Sequence, residues 1–290
     1  MAFAIFSNPL CPSGTEFGLM VSGLSKFARR QDVKMACFCA FDLYLSGFQK
    51  VNTENEKKTR NNYRSRFINR FPVALMEDNM PYCWWILDGY IEKFTKKVIQ
   101  DYKDENINIE TLELIYFLIS NIADSEKCRS LQHLREVGDE EFKSIENEKD
   151  AKKVFLKILR KYNGYDENII ESCIKVYDLR KKPIILSAAL SYVRYKYVGV
   201  KKIKKYNNFK KLLKSYLEDP TPDWKSFQFL FDKHVSPSIS KKYGVNPVKG
   251  WKGFVENEEK VCWDKTPNHI KTNPFFKELK EKYWEKRMSQ

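Results

Sequence analysis

Apolar residues return every three or four positions along most of this chain, and that period, rather than the alternation of a strand, limits what it can fold into. Phe38, Phe41 and Leu45 fall on one such stripe, with Cys37, Phe41 and Tyr44 beside it. Glycine and proline, the residues that interrupt helices, number only 11 each in 290 residues. The expected fold class is therefore all-α. One helix is predicted from Val33 to Ser46, apolar on several sides, with Gly47 placed to end it. A charged, turn-like stretch follows from Asn52 to Asn62, and then a helix from Arg64 to Met76 that Pro72 should kink or break. Trp84, Trp85, Leu87, Tyr90, Ile91, Phe94 and Val98 predict another helix, and Leu112, Ile115, Tyr116 and Ile119 one more over Thr111 to Ile122. Val154 to Tyr162 and Ile169 to Tyr177 carry two further stripes. Past Pro237 the glycines and prolines crowd together, which predicts loop-rich chain ahead of a last helix from Phe275 to Arg287. The acidic stretch Asp139 to Asp150 marks a mild boundary, giving three expected parts: 1–138, 139–236 and 237–290.

With 42% hydrophobic and 14% aromatic residues the chain can bury an ordinary core, so disorder does not describe it. Its 52 Lys and Arg outnumber 38 Asp and Glu, a net charge of +14, which favours contact with a polyanion; an AT-rich coding sequence is the alternative source of so much lysine. The seven cysteines are an odd number and scattered through apolar sequence, which predicts free thiols in a reducing compartment, cytoplasmic or nuclear. Cys37 and Cys39 lie too close, and too far from other ligand types, for a usual zinc or redox motif; they read as core. No secretory leader is read at the N-terminus, and no apolar run reaches the roughly 18–20 residues of a membrane span.

The densest basic region runs from Arg180 to Lys214 and contains no acidic residue. Lys181, Lys182, Arg194, Lys196, Lys201, Lys202, Lys204, Lys205, Lys210 and Lys211 can neutralise phosphates, while Tyr192, Tyr195, Tyr197, Tyr206 and Phe209 offer stacking faces to unpaired bases. The competing reading is a solvated helix face whose rings point inward. Nothing resembles a base-reading module, so binding is expected to show no strong sequence preference, with DNA placed before RNA.

Catalysis finds little support. The chain has no phosphate-cradling glycine loop and no H-E-x-x-H, and no residue is nominated as catalytic or metal-ligating. In Asp232-Lys233-His234 a carboxylate and a base lie two positions apart, but such a trio also suits a helix end. Glu77 and Asp78 are one acidic pair where a metal nuclease gathers three or four; capping the next helix, or receiving Arg64, Arg66 or Arg70, is the alternative. No cofactor is called for.

Ser22, Leu24, Lys26, Arg29, Arg30, Gln31 and Asp32, followed by Ala36, Ala40, Leu43 and Gly47, and then by Arg66, Phe67, Arg70, Glu77, Asp78, Asn79 and Met80, occur in an order that resembles the C-terminal helical region of RarA/MgsA-type replication-associated recombination ATPases, relatives of clamp loaders. Asp232, His234, Gly250, Gly253 and Phe254 look like a second, weaker element of some of those proteins. Gln31 stands where the family has glycine, Asn79-Met80 replace Val-Gly, and the ATPase is missing. The resemblance implies a clamp-loader-collar-like helical domain that oligomerises or docks to a replication protein, with Arg29 and Arg30 organising helix contacts or meeting a subunit or DNA. Taken with the basic stretch, it implies a non-enzymatic DNA replication or repair accessory protein without a membrane partner; a viral or mobile-element origin is compatible with it. A structural scaffold is the rival, and a divergent nuclease or glycosylase using Glu77, Asp78, Asp232 or His234 the third reading.

Overall fold

A computed structural model describes residues 10–78, 81–125, 127, 129, 133, 207–221, 223–231, 235, 237–246, 250–272 and 274–289. These residues are 76% helical and contain no strand, so the protein is all-α over the described part. The extended backbone at Leu10 and Glu16 forms an isolated bridge. The chain divides into two compact units that interleave along it: one contains Met1–Leu75, Gly89–Asp124 and Lys204–Glu258, the other Met76–Asp88, Ser125–Ile203 and Glu259–Gln290. The stripes read at Val154–Tyr162 and Ile169–Tyr177, and the Asp139–Asp150 boundary, lie outside the described residues.

The first unit is built on a corner between two helices, α1 (Phe17–Arg30) and α2 (Val33–Leu45), which pack against each other and against α5 (Ile109–Ala123). The Arg29-Arg30-Gln31-Asp32 stretch is that corner. Gln31 takes the left-handed conformation at φ 67°, its N–H donating to Ala28 O, while the N–H of Asp32 reaches back to Phe27 O at 3.0 Å. This is a Schellman ending with glutamine in the seat glycine normally takes. Asp32 then caps α2, its Oδ1 accepting the N–H of Met35 at 3.0 Å. Two residues thus close one helix and open the next.

α2 is buried from Met35 to Tyr44, as its apolar sequence on every side requires. Its closeness to α1 depends on Gly23, where a Cβ would stand 2.7 Å from Cys39 Sγ. Gly47 has a related use. It sits inside a 3₁₀ turn, Ser46–Phe48, rather than in a left-handed cap, and a Cβ there would meet the Tyr102 ring at 2.4 Å. The glycine lets a ring lie on the backbone; it does not end the helix by positive φ.

α3 (Glu54–Glu77) corrects the turn expected over Asn52–Asn62. Its start is a capping box: Thr53 Oγ1 accepts the N–H of Glu56 at 3.2 Å, and Glu56 Oε2 accepts the N–H of Thr53 at 3.1 Å and of Asn52 at 2.6 Å. The helix also continues through Pro72 rather than breaking there. Tyr63, Phe67, Phe71 and Ala74 form its buried stripe, with the Tyr63 ring stacked on Phe17 at 4.1 Å. α4 (Pro81–Lys103) contributes Ile91, Phe94, Val98 and Tyr102 to the same core, and Phe94 lies 4.4 Å from Phe71. α6 (Phe209–Glu218) completes it.

From Pro237 onward the chain is more helical than its glycines and prolines suggested: α7 (Pro237–Lys242), α8 (Gly250–Phe254), a π-helical segment Val255–Glu259, α9 (Lys260–Asp264) and α10 (Asn268–Lys271) precede α11 (Pro274–Met288). Most of these are single turns, short enough for glycine and proline to punctuate rather than prevent them. In the second unit α10 packs on α11, which buries Leu279 and Tyr283 and lays Lys280 Nζ over Trp263 and Trp284 at 4.6 Å each.

Candidate nucleic-acid interface

Of the residues nominated to meet phosphate, Lys210 and Lys211 are described; Lys181, Lys182, Arg194, Lys196, Lys201, Lys202, Lys204 and Lys205 lie outside the described residues. Lys210 and Lys211 stand in the first turn of α6 and are exposed, as is Lys214, which pairs loosely with Glu218 at 3.6 Å. The aromatic residues of the same helix point the other way. Phe209 meets Phe41 and Tyr116, with ring centroids 6.5 and 5.8 Å away, and Tyr216 lies 5.4 Å from Phe38. Phe209 is therefore a core ring and not a stacking platform for a base, and what the start of α6 presents to solvent is the lysines, with Leu217 and Glu218 exposed at its end.

Tyr216 also serves a buried carboxylate. Asp42 on α2 is wholly enclosed; it accepts the Tyr216 hydroxyl at 2.8 Å, the Ser13 hydroxyl at 2.5 Å and the Ser13 N–H at 3.1 Å. No Lys or Arg pairs with it among the described residues. Burial raises its pKa above the ordinary carboxylate value, and these hydrogen bonds oppose the rise without cancelling it. Cys11 and Cys39 lie near it and Cys37 nearer Asp32; all three are buried free thiols, pushed up by the same loss of water, so the core reading of the Cys37–Cys39 pair stands.

Lys26, Arg29 and Arg30, from the first stretch of the family resemblance, are used inside the first unit. Lys26 is buried, and its ammonium donates to Phe229 O and Leu230 O, both at 3.0 Å. Arg29 is buried against Glu258. Arg30 reaches Glu258 Oε1 at 2.9 Å and Asn257 O at 2.9 Å, with its guanidinium 3.6 Å from the Phe229 ring centre. These cations hold α1 to the 228–230 turn and to the π-helical segment. Of the roles expected for Arg29 and Arg30, the structure shows helix contacts.

Asp78 and its partners belong to the second unit. Asp78 is buried and paired with Arg129, in place of the Arg64, Arg66 or Arg70 expected from sequence; Arg64 instead binds Gly47 O at 2.7 Å and Glu105 at 2.7 Å. Arg129 also faces Glu259 at 2.6 Å, and Glu259 Oε2 lies 2.7 Å from His133 Nε2, whose ring stacks on Tyr283 at 4.7 Å. Burial raises the Tyr283 pKa first of all. The Asp78 carboxylate is thereby taken up by a guanidinium. Among the described residues no three His, Cys, Asp or Glu side chains gather as a metal site would need. The Glu77 side chain, Asp232 and His234 lie outside the described residues. Sequence reading missed Arg129, His133, Glu258 and Glu259: their partners are 51 to 229 positions away, and no local spacing signals such a pair.

The structure therefore sorts the cations. Lys26, Arg29 and Arg129 are inside and engaged, whereas Lys210, Lys211 and Lys214 are exposed. No helix of the described residues is long and apolar enough to cross a membrane. Compared with known proteins, the chain matches no family model, no curated protein and no solved structure.

Proposed function

We propose that this protein is a non-enzymatic DNA replication or repair accessory factor that binds nucleic acid without strong sequence preference and oligomerises or docks to a replication partner through its N-terminal helices. The observation that carries the reading is the sorting on α6: Lys210, Lys211 and Lys214 lie outward while Phe209 and Tyr216 are consumed by the core. Such a face recognises a phosphate backbone, because it supplies charge without a base-reading geometry. The acid-free stretch from Arg180 continues that charge in sequence. Clamp-loader-like ancestry fits the helical class and the Lys26-to-Asp32 signature. In the same reading the signature serves the fold, since its cations are spent internally.

The test is fluorescence anisotropy with labelled nucleic acid over a salt series, comparing the whole protein with its Lys201→Glu/Lys202→Glu/Lys204→Glu/Lys205→Glu variant. The expected result is binding that falls by about 10³-fold or more between 50 and 200 mM salt, as for about six or more phosphate contacts, and that the variant loses. Binding that ignores salt, or no binding, would sink it and favour the scaffold.

A further inference from the structure

The longest described helix divides its residues by chemistry. On α3 the exposed positions are Lys57 and Lys58, Asn61 and Asn62, Ser65 and Arg66, Asn69 and Arg70. Each pair lies four residues beyond the last, so the eight side chains form two adjacent rows along one face. One row reads Lys58, Asn62, Arg66, Arg70; its neighbour reads Lys57, Asn61, Ser65, Asn69. No acidic residue occurs between Glu56 and Glu77. Lys58, Arg66 and Arg70 make no ion pair among the described residues, whereas Arg60 and Arg64, on the flank, are both tied to Glu105. The opposite face is the buried stripe Tyr63, Phe67, Phe71, Ala74, which fixes how the exposed rows are turned.

A solvated helix face ordinarily mixes both signs of charge, as α4 does where Lys96 pairs with Glu92. The twelve steps from Lys58 to Arg70 rise about 18 Å, and a helix about 10–12 Å across matches a B-DNA major groove about 12 Å wide. The basic row can reach the phosphates of one strand while the amide and hydroxyl row faces the groove, where such side chains donate to and accept from base edges. Two other nucleic-acid forms fit less well. No aromatic ring lies on these rows to stack an unpaired base, and the deep, narrow major groove of duplex RNA does not admit a helix.

We infer that the Lys57–Arg70 face of α3 is a docking surface for duplex DNA, laid along the major groove and separate from the Arg180–Lys214 stretch. The inference rests on the DNA-binding reading above and adds the surface and the form of DNA. The experiment uses the full chain, with a duplex of about 30 base pairs, its single strand and the matching RNA duplex as probes. The variant Lys58→Gln/Arg66→Gln/Arg70→Gln is compared with Lys260→Gln/Lys277→Gln/Lys286→Gln, which removes the same net charge in the other unit. If the face docks, the wild type prefers duplex DNA, and the α3 variant loses about 10-fold or more in affinity. Its salt slope also drops by about 2–3, one phosphate contact being worth about 0.9, while the control variant stays near wild type. Wild-type binding with equal losses in both variants, or no preference for duplex DNA, overturns this inference and leaves the broader reading in place. Absence of any wild-type binding overturns both. Circular dichroism and thermal melting of both variants confirm that all three altered side chains in each were surface groups.

Discussion

Asp42 and Glu258 are both buried carboxylates of the first unit, and they are held in opposite ways. Asp42 has hydroxyl and amide donors from Ser13 and Tyr216 and no cation; Glu258 has two guanidinium groups, from Arg29 and Arg30. The first arrangement keeps an acid in the core at the expense of its ionisation, which is why its pKa rises. The second joins α1 to a segment more than 220 residues away by charge. A donor cage orders its neighbours with little electrostatic strength, and removing one member is a local loss. An arginine pair commits two buried or half-buried charges to a single acceptor, so removing that acceptor strands both.

The widest gap between the two appears on deleting the charged acceptor. Glu258→Ala leaves Arg29 and Arg30 without their shared carboxylate and should destabilise the first unit by about 3–5 kcal/mol, read from urea unfolding. Tyr216→Phe removes one donor from Asp42 and should cost about 1–3 kcal/mol, with Phe38 and Phe41 still packed around the ring. A loss as large as that of Glu258→Ala would dissolve the distinction.

The pH response sharpens it. Because the folded pKa of Asp42 lies above the ordinary 3.8, the folded state holds this proton where the unfolded chain has released it. Its contribution is fully present below the unfolded value and is lost as pH rises through the folded one. Stability of the wild type should therefore fall across that window relative to Asp42→Asn, whose midpoint in urea should be the flatter of the two. A difference of opposite sign would show that a cation reaches the carboxylate.

Smaller still is the effect at the corner that aims both arginines. Gln31→Gly relieves a side chain held at φ 67° and should raise stability by about 0.4–1 kcal/mol, visible as a higher melting temperature with no change in pH profile. The least disturbance concerns the thiols beside Asp42: Cys11 and Cys39 should resist a thiol reagent in the native protein and react on unfolding. Rapid native labelling of either of them would mean that water reaches the donor cage.

Much of the first unit was legible because its buried apolar residues recur at helical spacing. Ile91, Phe94 and Val98, or Leu112, Ile115 and Ile119, repeat at helical spacing, and each proved buried. The start of α3 was misjudged because composition outweighed capping: Asn52 to Asn62 is polar, yet Thr53 and Glu56 satisfy the exposed N–H groups and let the helix begin. That misreading also hid the basic face of α3, which exists as a surface only when the segment is helical.

Sequence by itself determined that this protein is helical, that its core is aromatic and that it carries a large positive surplus, because periodicity and composition act locally and survive any arrangement of the elements. Tertiary structure alone decided which charges are spent inside. Lys26, Arg29 and Arg129 look no different in sequence from Lys58 or Arg70; their partners Phe229, Glu258 and Glu259 lie far along the chain, and the Coulomb term that separates a buried pair from a solvated cation depends on distance and desolvation, which only folding sets.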